Sequence, residues 1–167
     1  YLMWVNPLSV TGTQTILDKL SGDGFRIDRV NTDLQLTADG ETLTATNFFV
    51  QNKFTHLSIT INTSGYTHIY RDDTAVQSGD FISILDNNVP FTLGETVTGT
   101  QDFRGIIDEL VIVNRTLTKE EILDAFRPPD GYYLWQVNAT DGSDYNVSDT
   151  RIFNISVNDV PVPLLNA

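Results

Sequence analysis

Apolar and polar positions alternate along much of this chain. Leu57, Ile59 and Ile61 fall on one side of an extended segment, and Ser58, Thr60 and Asn62 on the other. Tyr66, His68 and Tyr70 form a second alternating set just beyond Ser64-Gly65. Leu34 and Leu36 precede Asp39-Gly40, and Leu43 and Ala45 follow it, a pattern that predicts a hairpin. Gly22-Asp23-Gly24, Ser78-Gly79-Asp80 and Asp86-Asn87-Asn88 punctuate the rest. Period-two runs broken this often predict an all-β fold of short antiparallel strands, a sandwich or jelly roll.

Residues 103–122 depart from simple alternation. Gly105 admits the chain tightly, and residues 106–113 are a β-branched run with apolar residues on both faces, which predicts a buried strand. Asn114-Arg115 ends it. Thr118 stands three residues before Glu121, the spacing of a reciprocal capping box. A helix of about two turns over 119–126 follows, and Pro128-Pro129 stops it.

The order Phe103, Gly105, Ile107, Asp108, Glu109, Asn114, Arg115, Leu117, Glu120, Glu121, Ile122 resembles the signature near the end of laminin-G-like domains of the concanavalin-A-like lectin/glucanase superfamily. Upstream, Trp4-Val5-Asn6-Pro7, Thr15-Ile16-Leu17-Asp18-Lys19 and Gly24-Phe25-Arg26-Ile27 resemble that family's early strands. Phe54-Thr55-His56-Leu57 resembles its W-x-H-V strand, with Phe54 in place of the Trp, and Ile69-Tyr70-Arg71-Asp72-Asp73 its lYvDG strand, with Asp73 in place of the Gly. The resemblance implies an antiparallel jelly-roll β-sandwich over residues 1–127, with one short helix near 119–126. It also implies one or two further strands ahead of Trp4, so the chain reads as part of a longer one. Without them, the edge of the strand holding Leu110 would be left unpaired and apolar.

After Pro128-Pro129, residues 128–167 read as a linker and a C-terminal β-hairpin. Tyr132 to Ala139 and Thr150 to Val157 would be its strands, resembling the last strands of immunoglobulin-like, fibronectin-like or cadherin-like repeats. Two strands are too few to fold alone.

Charge narrows the partners. The formal net charge is -12, and the ten Lys and Arg are scattered. Nucleic-acid binding needs clustered cations and is disfavoured. No apolar run is long enough to span a bilayer as a helix, so no direct membrane insertion is expected. The absence of cysteine removes disulfides, thiol catalysis and thiolate metal sites. Five sequons, at Asn62, Asn114, Asn138, Asn146 and Asn154, are glycosylation candidates and point to an extracellular or cell-surface setting.

Hydrolases of the jelly-roll type carry carboxylates at same-face spacing on one strand, so that acid and nucleophile lie together. No E-x-D-x-(x)-E run occurs here, and Asp108-Glu109 are adjacent, which puts them on opposite faces of a strand. Asp108 is expected to accept loop N–H groups beside Gly105. His56 and His68 are the only histidines: His56 reads as structural, His68 as a half-exposed strand residue. Calcium needs only oxygen ligands. Candidates are Asp72, Asp73, Asp86, Asp102, Asp141 and Asp144. Sugar stacking needs exposed aromatics, and Tyr66, Tyr70, Tyr133 and Trp135 are the candidates. The expectation is a non-enzymatic binding or adhesion module of a larger surface protein, flanked by other domains and recognising a glycan or a surface protein. A purely structural spacer and a glycoside hydrolase are the alternatives.

Overall fold

Two five-stranded antiparallel sheets face each other within residues 1–126 of the computed structural model. The structure describes residues 1–21, 23–38, 40–80 and 87–126, and the backbone of 131–135, 138–140, 145–147 and 151–155. The first sheet has the order β10 (Gly105–Val111), β1 (Leu2–Pro7), β6 (Thr55–Ile61), β7 (Tyr66–Arg71), β8 (Thr74–Asp80). The second has the order β5 (Glu41–Ala45), β4 (Asp33–Ala38), β3 (Phe25–Val30), β2 (Thr13–Asp18), β9 (Thr92–Leu93). Consecutive β6, β7 and β8 are hairpin-linked, whereas β1 sits between distant β6 and β10, the non-local pairing of a jelly roll.

Alternation decides what the sandwich buries. Met3, Val5, Leu57, Ile59 and Ile69 face inward from the first sheet, and Leu17, Ile27, Leu34 and Leu36 from the second; all are buried. Phe48 and Phe49, stacked edge to face at 4.8 Å, fill the space between them from a loop. The expected hairpin at Asp39-Gly40 forms, with Leu34 opposite Ala45 and Leu36 opposite Leu43. Gly40 takes φ 76°, which is why a turn residue without a Cβ sits there.

The strand expected to be buried is instead an edge. β10 pairs only with β1 in its sheet, and Ile106 and Val111, with Ile112 just beyond, are about half exposed. Ile107 and Leu110 alone pack partly on the core. Its β-branched composition fits a strand, but composition carries no information about rank in a sheet. Leu2 opposes Val111 while Trp4 opposes Asp108, so three steps on β10 match two on β1. This is a bulge, and Glu109 takes φ 52° within it. Entry to β10 is as tight as its glycine suggests: a Cβ on Gly105 would collide with the Asn6 carbonyl oxygen and the Phe103 ring.

Helix α1 (Lys119–Phe126) starts at the capping box. Thr118 N–H donates to Glu121 Oε2 at 2.9 Å, and Glu121 N–H donates to Thr118 Oγ1 at 3.3 Å. Arg115 adds a fork onto the same carboxylate, at 2.7 and 2.6 Å. That fork, with the Thr118 N–H, holds the Glu121 carboxyl down at about 2. Ile122 is the buried residue of the helix, and Phe126 lays its ring beside Trp4 and His56 at 5.5 and 5.7 Å.

Residues 127–167 form a separate unit. In it β11 (Gly131–Trp135) pairs antiparallel with β14 (Arg151–Ile155), and β12 (Asn138–Thr140) with β13 (Tyr145–Val147). The sequence suggested two strands joined by a polar loop; the outer pair falls within those strands, but a second pair, β12 and β13, lies between them.

Candidate functional site

The outer face of the first sheet has two halves. Because Leu57, Ile59 and Ile69 point inward, His56, Ser58 and Thr60 on β6, and Tyr66, His68 and Tyr70 on β7, point outward. Phe126 closes one half, over Trp4 and His56. His56 is buried there, 5.1 Å from the Trp4 ring, with its ring nitrogen Nδ1 3.4 Å from Ser58 Oγ. Burial pushes its pKa below the usual histidine value, against the opposing pull of Asp72 and Glu109. His56 is therefore a packed structural residue.

The other half carries an unbroken aromatic row. The His68 ring lies 5.0 Å from Tyr66 and 5.9 Å from Tyr70, and all three are half-buried. Register adds polar neighbours on the same face: Ser78 opposes His68 across β8, and Asp80 opposes Tyr66. Tyr66 Oη–H donates to Ser78 Oγ at 3.1 Å, which fixes one end of the row. Period-two spacing makes three rings on one strand contiguous. An array of ring faces edged by hydroxyls and a carboxylate can stack on the apolar faces of pyranose or furanose rings while hydrogen-bonding their hydroxyls. Tyr66 and Tyr70 were legible as candidates. His68, expected as a half-exposed strand residue, is half-buried and stands between them, where alternation places it.

A second concavity lies at the rim, between the loop after β1 and the loop before β10. It is a cleft of about 410 Å³ lined by polar residues and Gly99, among them Thr11, Gln14, Gln101, Asp102 and Arg104. Gln101 takes φ 59°; its carbonyl accepts the Thr15 N–H, and its Oε1 lies 3.1 Å from Thr15 Oγ1. Nothing in the local sequence marks these residues as a cluster, since they meet only through the sandwich topology.

The other sequence candidates disperse. Asp72 Oδ1 accepts the His56 N–H at 3.0 Å, and Asp73 Oδ1 accepts the Thr74 hydroxyl at 3.0 Å. Asp102 lines the rim cleft. Asp86, Asp141 and Asp144 lie outside the described residues. Among the described residues no three acidic or histidine side chains converge as a metal site would require. Asp108 does not gather loop N–H groups: it is exposed and accepts only the N–H of Glu109, at 2.9 Å. Glu109 is exposed as well, in a left-handed conformation within the bulge, so simple strand alternation does not hold at this pair. Asn62 Oδ1 accepts the N–H groups of Ser64 and Tyr66, each at 2.9 Å, which makes it a turn former; Asn114 is exposed. Tyr133 and Trp135 fall on β11, and Asn138, Asn146 and Asn154 on β12, β13 and β14, where only the backbone is described.

Known proteins give this geometry a context. The family model for the concanavalin A-like lectin/glucanases superfamily matches residues 1–123. A Bacteroides ovatus ATCC 8483 protein thought to bind carbohydrate is 14% identical, with a TM-score of 0.66 over 94% of this chain and 53% of its own. The CBM40 domain of the Ruminococcus gnavus IT-sialidase, solved with α2,3-sialyllactose, is 14% identical with a TM-score of 0.60, covering 75% of this chain and 80% of its own. Domain 4 of AbnA, a GH43 extracellular arabinanase from Geobacillus stearothermophilus, solved with arabinotriose, is 25% identical with a TM-score of 0.60, covering 75% of this chain and 65% of its own. This chain thus spans about half the length of the first and two thirds of the third. No curated protein matches it.

Proposed function

This chain belongs to the concanavalin A-like lectin/glucanases superfamily, and we propose that it is a non-catalytic carbohydrate-binding module of a larger extracellular or cell-surface protein. One observation carries the reading: the Tyr66, His68 and Tyr70 rings stand in an unbroken row on the half of the sheet that Phe126 leaves uncovered. Ser78 and Asp80 flank the row at positions suited to sugar hydroxyls. The fold neighbours solved with sialyllactose and arabinotriose support a glycan as the partner. Five sequons support the external setting. The scattered carboxylates support a binding rather than a hydrolytic role, since Asp108 and Glu109 sit exposed on an edge bulge without a facing partner acid.

A glycan array followed by calorimetry on the best glycan tests the reading. Tyr70→Ala should weaken binding about tenfold, since a stacking ring of this size contributes on the order of 1.5 kcal/mol. The melting temperature should stay close to that of the parent, because Tyr70 is only half-buried. If the array is blank, or the Ala variant binds as tightly as the parent, the row is a structural surface and the spacer reading gains.

A further inference from the structure

Behind the lining of the rim cleft lies a buried arginine. Arg29 is completely buried, yet no carboxylate pairs with it among the described residues. Its guanidinium is held by neutral oxygens instead. Nη1 donates to the carbonyls of Asn31 at 2.7 Å and Gly12 at 3.3 Å, Nη2 to the carbonyl of Thr11 at 3.1 Å, and Nε to Gln14 Oε1 at 3.2 Å. Thr11 and Gln14, two of these partners, are themselves cleft-lining residues. Alternation on β3 explains the placement: Arg29 points to the same side as Phe25 and Ile27, the core side, at the end of the sandwich. A guanidinium in that position cannot shed its proton under ordinary conditions, so a positive charge lies fixed under the cleft. The chain has only ten basic residues and an overall charge of -12, which makes this local excess notable.

A second cation stands on the wall. Arg104 is exposed, lines the cleft and has no ion-pair partner among the described residues. One carboxylate, Asp102, opposes the two arginines. The remainder is a single positive charge, surrounded by threonine and serine hydroxyls and the amides of Gln14 and Gln101. That balance matches a monoanion carrying hydroxyl groups better than a doubly charged phosphate.

We propose that the rim cleft binds the carboxylate of an acidic sugar, at a site separate from the aromatic row. Arg104 would meet the carboxylate directly. Arg29 would act from beneath as a positioning residue, through its charge and through the loop carbonyls it gathers. The cleft hydroxyls would take the sugar hydroxyls. Uronic and sialic acids share this chemistry, and the test separates them.

The full 167-residue chain, labelled with ¹⁵N, is titrated with trigalacturonate and with sialyllactose, each beside its methyl ester. Gly12 and Gly99 serve as reporters, because Arg29 binds the Gly12 carbonyl and Gly99 lines the cleft. At least one acid should shift both amides saturably, and its ester should not; which acid does so identifies the source of the carboxylate. Arg104→Gln should weaken that binding about fivefold, as for one exposed charge removed, and Asp102→Asn should strengthen it. Raising the salt from low to high should weaken it further, because the cleft is open. Tyr70→Ala should leave the Gly12 and Gly99 shifts unchanged, so failure of the aromatic-row reading and failure of this one are distinguishable. Equal shifts with acid and ester, no shift with either acid, or reversed effects of the two charge variants, with Arg104→Gln strengthening and Asp102→Asn weakening the binding, would each overturn the proposal. The last result would indicate a cleft built for a cation.

Discussion

Ile122→Ala is a direct test of how the first sheet is divided into covered and open halves. Helix α1 has eight residues, too few to persist in water on propensity alone. Its cap at Thr118 contributes about 1 kcal/mol, so docking must supply the rest. Ile122 is its buried residue, at 0% exposure. Truncation to Ala removes three carbons, about 2.4 kcal/mol in transfer free energy, and leaves a cavity the short helix closes only in part. A loss of roughly 3 kcal/mol follows, a large fraction of the 5–15 kcal/mol typical of a whole domain. The assay is urea denaturation followed by fluorescence in a Trp135→Phe background, which leaves Trp4 as the reporter. Trp4 lies 5.5 Å from Phe126, so a helix that undocks before global unfolding would redden the emission ahead of the main transition. A loss below about 1 kcal/mol with unchanged Trp4 emission would show that the helix does not hold the covered half.

Two further outcomes are expected. Gly105→Ala should destabilise by roughly 1–3 kcal/mol or more, because its new methyl meets the backbone oxygen of Asn6 rather than a side chain that can swing away; a melt unchanged from the parent would contradict the close approach. Beyond the fall between about 8 and 6 that burial of the Tyr1 amino group brings, the stability profile should have two side-chain steps on its acid limb. His56 is held neutral by burial, so the unfolded chain binds its proton first and stability falls as pH drops through about 6.5, levelling once the folded form titrates too. Glu121, depressed to about 2, contributes above its unfolded value of about 4.5, and that contribution fades between 4.5 and 2. His56→Gln should erase the upper step only, and a profile whose upper step survives that substitution would reassign it.

Local pattern carried most of the fold. The inward rows of β6 and β7, the turn at Gly40 and the helix from Lys119 to Phe126 all follow from spacing within a few residues. Strand alternation likewise marked Tyr66, His68 and Tyr70 as one alternating set, but it did not mark them as a continuous row. What could not be read was rank and convergence. Nothing within residues 106–113 says whether the strand lies in the middle of a sheet or at its margin. Glu109 in a left-handed conformation lacks the Gly or Asn that would announce a bulge. Arg29 gave no signal at all, because its partners Thr11, Gly12 and Asn31 become partners only when two loops meet over β3.

The bulge on β10 also bears on how copies of this chain behave at high concentration. A straight margin with Ile106, Val111 and Ile112 exposed would offer a second copy a ladder of free backbone groups and a matching apolar strip, the arrangement from which fibrous stacking grows. Glu109 interrupts that ladder at mid-strand, and it and Asp108 set two negative charges where a neighbouring strand would have to lie. Two copies meeting edge to edge would bring four carboxylates together with their hydrogen-bonding out of step. The irregularity that made this strand hard to read is thus a feature that opposes edge-to-edge stacking of copies.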